Sequence, residues 1–329
     1  MSGLSSLQAS KIYTLGGETP PPFEGAPAPG WVLKSRFLLL KEIGKGGQSR
    51  VFKALDLVAW KAGLSTGTVA IKLMVADEEG VEPDFIALMH REARRLRDLV
   101  HPNIVRVYDM DRVGQVHFMV MEYLQGQPLS RLIRDAPDRI LPAPMVKRLI
   151  TDVGEALHFA HAQGIVHADI KPGNIFVQDN GVIKLIDFNI ACPIARSIRQ
   201  DEEDTLRILI RIGAITPQYA SPQRLQGAEP CEADDVFSFA LLIYLTLAGL
   251  RPFGPKNALE AMEAGVRPKP IDGLPKLQWD CLAQGLAFDD ADRTSSIGAF
   301  VEAFLRGGPP GGQRWVWPRL PWAATDARE

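Results

Sequence analysis

Cysteine is scarce in this chain. Its 329 residues contain three, Cys192, Cys231 and Cys281, each far from the others. That spacing builds neither a disulfide framework nor a thiolate metal site, and the setting it implies is reducing and cytoplasmic. An excess of one charge is also missing, because 37 Lys and Arg face 39 Asp and Glu for a net −2. With no basic surplus to neutralise a phosphate backbone, nucleic acid is not an expected partner. Long apolar runs are absent too. The longest, over 236–250, carries Ser238 and Thr246 and is too short to cross a bilayer, so no transmembrane segment is expected. It reads instead as a helix buried on all sides. The first residues, MSGLSSLQASKIYTLGG, show neither the charged start nor the apolar stretch of a secretory leader.

What is present is ordinary globular material. Hydrophobic residues make up 46% and charged residues 23%, enough apolar matter for a sizeable core. Residues 1–32 crowd Pro20, Pro21, Pro22, Pro27 and Pro29 with little to bury, and read as an unstructured segment. Ordered structure is expected from Phe37, with strand-like runs over 37–44, 50–57, 68–75, 104–109 and 116–123 and one helix over 84–99. After Gly126 the pattern changes. An amphipathic helix spans 145–163 and stops at Gly164, short strands follow at 175–177 and 183–186, and helices occupy the chain from Asp234 to about Leu305. The expected architecture is α+β with two lobes. Residues 33–122 form a small five-stranded lobe with one helix, 123–306 a larger helical lobe, and 307–329 a Gly/Pro/Trp-rich tail.

Three groups of residues carry chemistry. The first is the stretch from Gly44 through Gly46 and Gly47 to Ser49 and Val51, set between two strands. Glycines there let backbone amides approach an anion closely, although a plain hairpin turn would use them as well. No Gly-Lys-Ser/Thr follows and no helix opens, which excludes the P-loop and the dinucleotide fingerprint. The second is Lys72, closing the apolar strand Val69-Ala70-Ile71-Lys72, where an ammonium needs a partner. Glu92 lies on the apolar stripe of the following helix with Phe85, Met89, Leu96 and Leu99, which suggests an internal ion pair. The third is His167-Ala168-Asp169-Ile170-Lys171-Pro172-Gly173-Asn174, with Asp187 thirteen residues after Asn174. A carboxylate to accept a proton, an ammonium for a phosphate, and an amide and a second carboxylate as hard oxygen ligands suit phosphoryl transfer.

With these residues in order, the chain resembles the eukaryotic-type (Hanks-type) serine/threonine protein kinases, which also occur widely in bacteria. The resemblance runs from Phe37 to about Leu305 through VAIK, HREARRL, HPNIV, MEYL, HADIKPGN, IDFN, TPQYASPQ, DDVFSF and DDADR. It implies a bilobal kinase fold, ATP and Mg2+ (or Mn2+) as cofactors, and a protein substrate with a Ser or Thr acceptor. Lys72, held by Glu92, would bridge the α- and β-phosphates beneath a loop carrying Gly44, Gly46 and Gly47. Asp169 would orient the acceptor hydroxyl, Lys171 would contact the γ-phosphate, and Asn174 and Asp187 would hold the metal. Adenine would lie between Ile43, Val51 and Ala70 above and Phe176 below. Backbone groups of Glu122 and Leu124 would bond it, with Met121 as gatekeeper. Asp235 would brace the catalytic loop, Thr216 would touch Asp169 and Lys171, and Leu96, Val107, Phe188 and His167 would stack between the lobes.

Four positions depart from the family pattern. The third loop glycine is Ser49, the arginine before the catalytic aspartate is Ala168, the glycine after Asp187-Phe188 is Asn189, and the glutamate of Ala-Pro-Glu is Gln223 facing Arg293. These departures define the alternative reading, a nucleotide-binding scaffold without transfer. With Ala168 in place of arginine, and Asp201, Glu202, Glu203 and Asp204 beside Thr205, the loop is expected to be held by apolar packing or a partner, with activity largely independent of its phosphorylation. Two segments are candidate docking surfaces: the apolar run over 205–212, and the cluster of Trp315, Trp317 and Trp322, which is expected to fold back on the helical lobe.

Overall fold

A computed structural model of the chain describes residues 27–45, 49–63, 67–74, 96–114, 116–188 and 215–306. The smaller lobe is a curled antiparallel sheet. Its strands are β1 (Val32–Leu33), β2 (Phe37–Lys45), β3 (Ser49–Asp56), β4 (Thr68–Met74), β5 (Val107–Val113) and β6 (Val116–Glu122), in the spatial order β1-β2-β3-β4-β6-β5. Side chains alternate across these strands. Phe52, Ala54, Val69, Ile71, Leu73, Phe118 and Val120 point one way and form a closed core with Leu33, Phe37 and Leu39. Val51, Ala70, Lys72, Met119 and Met121 therefore point the other way, toward the larger lobe. The curl is strong enough for the two edges to meet, where Lys34 beside β1 reaches Asp111 on β5 at 2.6 Å.

Three expectations for this lobe need correction. The sheet has six strands where five were expected, because order extends into the proline-rich segment. Gly30 donates to the Leu39 carbonyl, Leu39 donates to that of Trp31, and Val32 and Leu33 pair with β2. The boundary expected at residue 32 thus falls inside a strand. Residues 57–61, read as the end of a strand and a turn, form a helix, α1 (Leu57–Lys61), capped by the Asp56 carboxylate accepting from the Val58 and Ala59 amides. The strand expected over 104–109 begins at Val107, because 103–105 pair elsewhere. Val105 donates to Leu185 O, Leu185 to Asn103 O, and the Asn103 amide to Ile183 O, each at 2.8 Å. Of the helix expected over 84–99, residues 96–98 are described and helical.

The larger lobe begins with β7 (Gly126–Pro128), which pairs with β8 (Ile175–Gln178) and β9 (Ile183–Leu185) in a second sheet. Gly126 is required here. Its φ is +142° and a Cβ would lie 2.1 Å from the Val177 carbonyl oxygen. Next come α2 (Leu129–Asp135) and α3 (Ala143–Ala162). Helix α3 buries Met145, Leu149, Ile150, Val153, Ala156, Leu157 and Ala160 along one stripe, then ends at Gly164 as its sequence predicts. Beyond lie α4 (Pro222–Leu225), α5 (Glu232–Ala248), α6 (Ala258–Glu263), α7 (Lys276–Gly285) and α8 (Ile297–Arg306). Every residue of α5 from Asp234 to Thr246 is buried, so the apolar run is an internal helix of the core. Among the described residues no helix is long and apolar enough to cross a membrane.

Candidate active site

The cleft between the lobes is built from a row of paired positions. Gly44 pairs with Val51, Val51 with Lys72, and Lys72 with Met119, which sets the glycine hairpin, the lysine and the rear of the cleft on one line across β2, β3, β4 and β6. A parallel row carries Ala70 opposite Met121, next to Val69 opposite Glu122. Ile43 is 46% exposed at the start of the hairpin, large for an isoleucine unless something covers it. Leu124 and Phe176 are half-buried on the hinge and on β8. Behind Met121 and Met119 lies a cavity of about 20 Å³, lined also by Lys72, Leu96, Val107, Asp187 and Phe188. It has room for about one water. Gly46, Gly47 and Glu92 lie outside the described residues.

The loop from His167 to Asn174 is held by one carboxylate. Asp235, fully buried at the start of α5, accepts from the His167 amide at 2.8 Å and the Ala168 amide at 2.9 Å. These bonds fix Ala168 at φ +63°, a conformation that costs an L-residue about 1–2 kcal/mol. Asp169 is 7% exposed. Its Oδ2 meets the Lys171 ammonium at 2.6 Å and accepts from the Asn174 amide nitrogen at 2.9 Å. The same nitrogen donates to the Asp169 carbonyl at 2.8 Å. Lys171 donates in turn to the Thr216 hydroxyl at 2.8 Å. Thr216 thus meets Lys171, while no hydrogen bond joins it to Asp169. The other Asp169 oxygen, Oδ1, is buried without a partner. A buried carboxylate oxygen left unpaired is costly and marks the place where a donor is meant to arrive.

Lys72 pairs with Asp187. The ion pair expected with Glu92 falls outside the described residues, and the partner Lys72 shows is this carboxylate from the opposite side of the cleft. Burial raises the Asp187 pKa, but the charge and hydrogen bond of Lys72, helped by His167 and Lys171, outweigh it and hold the carboxyl below its usual range. Asp187 adopts φ +62° after β9, and its side chain remains 42% exposed to the cleft. Asn174 and Asp187 offer an amide oxygen and a carboxylate. The Asn174 nitrogen, committed to Asp169, turns its oxygen the other way. That small set of hard donors suits a Mg2+ ion that keeps waters and phosphate oxygens as its remaining ligands. Among the described residues no cluster of three His, Cys, Asp or Glu exists that could hold a metal by itself.

Leu96, Val107, Phe188 and His167 are all buried, and the His167 and Phe188 rings lie 4.6 Å apart. Gln223 accepts from Arg293 at 3.0 Å and donates to the Phe288 carbonyl at 2.7 Å, a neutral bond at the departure from the family pattern. Asn189, the 205–212 run and the three tail tryptophans lie outside the described residues.

Two contributors escape sequence reading. His161 on α3 contacts Asp235 at 2.8 Å and Glu232 at 3.5 Å. Its one signal is a polar residue on the buried stripe, beside Leu157 and Ala160. Lys184 on β9 reaches Glu122 at 3.0 Å and the Ile104 carbonyl at 3.4 Å, tying the hinge to the larger lobe.

Known proteins resemble this chain in sequence and in fold. A probable serine/threonine-protein kinase of Clostridium acetobutylicum is 33% identical over 224 residues, 68% of this chain and 32% of that protein. Serine/threonine-protein kinase PknA of Mycobacterium tuberculosis is 30% identical over 287 residues, 84% of this chain and 62% of PknA. The chain thus spans less than two thirds of the length of either relative. The crystal structure of the Mycobacterium tuberculosis PknI kinase domain has the same fold, with a TM-score of 0.62 at 23% identity over 86% of this chain and 100% of that one. Residues 37–286 match the protein kinase domain, and the chain belongs to the protein kinase family.

Proposed function

We propose that this chain transfers the γ-phosphoryl group of ATP to Ser or Thr hydroxyls of protein substrates. The observation that carries the reading is the unpartnered Asp169 Oδ1, buried beside an ammonium already anchored by Asp169 Oδ2 and Thr216. A substrate hydroxyl supplies the missing donor and Asp169 orients it, while Lys171 stands where negative charge gathers on the moving phosphoryl group. Asn174 and Asp187 would hold Mg2+, whose charge offsets that of the phosphates when bound. Lys72 would then turn from Asp187 toward the α- and β-phosphates, with Glu92 behind it. Ile43, Val51 and Ala70 above and Phe176 below would enclose adenine, with Met121 behind and the Glu122 and Leu124 backbone groups bonding its edge. Gly44, Gly46 and Gly47 would cover the phosphates.

The Clostridium relative and PknA are named serine/threonine-protein kinases, which supports the acceptor class, and the scattered cysteines support a reducing, cytoplasmic setting. The test is incubation of the pure chain with labelled ATP, Mg2+ and a generic basic protein. Label should appear on Ser or Thr. Asp169→Asn and Asp187→Asn should fold normally yet fall about a thousandfold or more in turnover, since positioning and electrostatics supply most of the rate. Wild-type transfer by either variant would refute the assignment.

A further inference from the structure

Arg50 lies outside the machinery just described, yet it sits on the back of the glycine hairpin. It is the residue after Ser49 and pairs in register with Lys45 at the closed end of β2 and β3. Strand alternation places it on the opposite face from Val51, so the side chain next to the one facing the cleft points outward. There its guanidinium makes three attachments. It donates through Nε to Glu42 Oε2 at 3.1 Å and through Nη2 to the same oxygen. Through Nη1 it donates to the carbonyl of Pro27. The fork also lies over the Phe52 ring, 5.0 Å from its centroid. Pro27 is itself buried, and three residues later the same arm bonds along β2 through Gly30 and Trp31.

We propose that Arg50 is a positioning residue for the nucleotide. By bolting both strands of the glycine hairpin to the proline-rich arm at Pro27, it holds Val51 and Gly44 down over the cleft. The hairpin needs such support. Strand β3 is paired with β4 as far as Ser49 opposite Met74, but beyond Leu39 the outer edge of β2 has no strand beside it among the described residues, so β2 is the side left to be held. Arginine suits the task because its planar fork serves a carboxylate and a carbonyl at once, whereas lysine offers a single point charge. The Arg50 hydrogen bond also holds the Glu42 carboxyl below its usual range, so the clamp is charged at neutral pH. Lifting the hairpin would remove cover from the nucleotide without touching the groups that orient the acceptor.

This inference rests on the kinase reading, and its test separates the two. Binding of a fluorescent ATP analogue with Mg2+, and KM for ATP against kcat, are measured on the full chain for wild type, Arg50→Met, Arg50→Lys and Glu42→Gln. Arg50→Met should weaken nucleotide binding about fivefold or more and raise KM for ATP in step, with kcat within about twofold. Arg50→Lys, which keeps the charge but not the fork, should not restore wild-type affinity. Glu42→Gln, the milder change, should fall between, and it serves if Arg50→Met does not fold. A melting-temperature loss with unchanged affinity, or full rescue by lysine, would overturn the proposal. If the wild type binds nucleotide but transfers nothing, the kinase reading fails while the clamp is still decided by the affinities. If the wild type binds no nucleotide, both fall.

Discussion

Asp235→Asn exchanges one atom in a side chain with no exposed surface, so it opens no cavity and its cost is that of hydrogen bonding alone. Asp235 Oδ1 faces the Ala168 amide at 2.9 Å, and Oδ2 faces the His167 amide and His161 Nε2, each at 2.8 Å. A carboxylate accepts at both positions, whereas an amide accepts at one and donates at the other. Whichever way the new side-chain amide turns, its NH2 confronts a backbone N–H. Two buried donors are then unsatisfied at about 1–3 kcal/mol each, or roughly 2–6 kcal/mol together. Against a total stability of about 5–15 kcal/mol that is a large fraction. It corresponds to a fall of roughly 4–24 °C in melting temperature for a domain of this size class. In one orientation the bond lost is that of Ala168, which holds it at positive φ, and in the other it is that of His167 beside it; either way Asp169, at the end of this short run, is less firmly placed. Urea unfolding followed by tryptophan fluorescence gives the stability change, and transfer assays well below the melting temperature give the rate. A variant losing less than about 1 kcal/mol, at wild-type turnover, would refute the claim that this carboxylate holds the loop.

Other outcomes follow from the same geometry. Gly249→Ala should unfold far more easily than Gly254→Ala in parallel melts. Both glycines have positive φ, but a Cβ at 249 would lie 2.1 Å from the Asp138 carbonyl oxygen, while nothing lies within 4 Å of one at 254. Gln223→Glu should not stabilise the chain, because the new carboxylate would face the Phe288 carbonyl to which Gln223 now donates; a higher melting temperature would contradict this. Arg36→Met tests acid stability through Asp56. Burial raises that carboxyl's pKa, but Arg36 and the Ala59 and Val58 amides outweigh it, so its folded pKa lies below the ordinary 3.8. A depressed folded pKa contributes stability above the unfolded value that is lost as pH falls through the folded one. The variant should therefore be less stable at pH 7 and show a shallower decline below pH 3.8 in denaturant titrations; an unchanged slope would count against the pairing.

Much of this arrangement is readable in the residues themselves, and the parts that are not share a cause. Helix α5 announces itself because a helix buried on every side needs apolar residues on every side. Helix α3 does so through its stripe and terminal glycine. Asp169, Lys171, Asn174 and Asp187 can be grouped because their spacing reflects one compact loop and one strand. By contrast, Leu57–Lys61 reads as the end of a strand and a turn, because five residues are too few to show a helical period; only the cap at Asp56 betrays the helix. The start of β5 is hidden because Asn103 and Ile104 pair with β9, 80 residues away from Asn103 at Ile183, and no local pattern records a distant partner. The same limit hides the contact between Lys184 and Glu122. Lys72 needs a counter-ion, and its apolar strand shows that need, but whether Asp187 or Glu92 supplies it depends on tertiary placement.

The stitching of residues 103–105 onto β9 changes what counts as a moving part. By chain order those residues belong with the smaller lobe, yet mechanically they travel with the larger one. Among the described residues the backbone therefore joins the smaller lobe to the larger at two places, before Arg106 and through Tyr123, beside the Lys72–Asp187 pair that crosses the cleft. A body held at two points keeps one easy rotation, about the line joining them, and loses twist and sideways slide. Rotation about that line is then the motion the backbone resists least, and the Glu122 carboxylate, which touches both Lys184 and the Arg106 amide, links the two attachments.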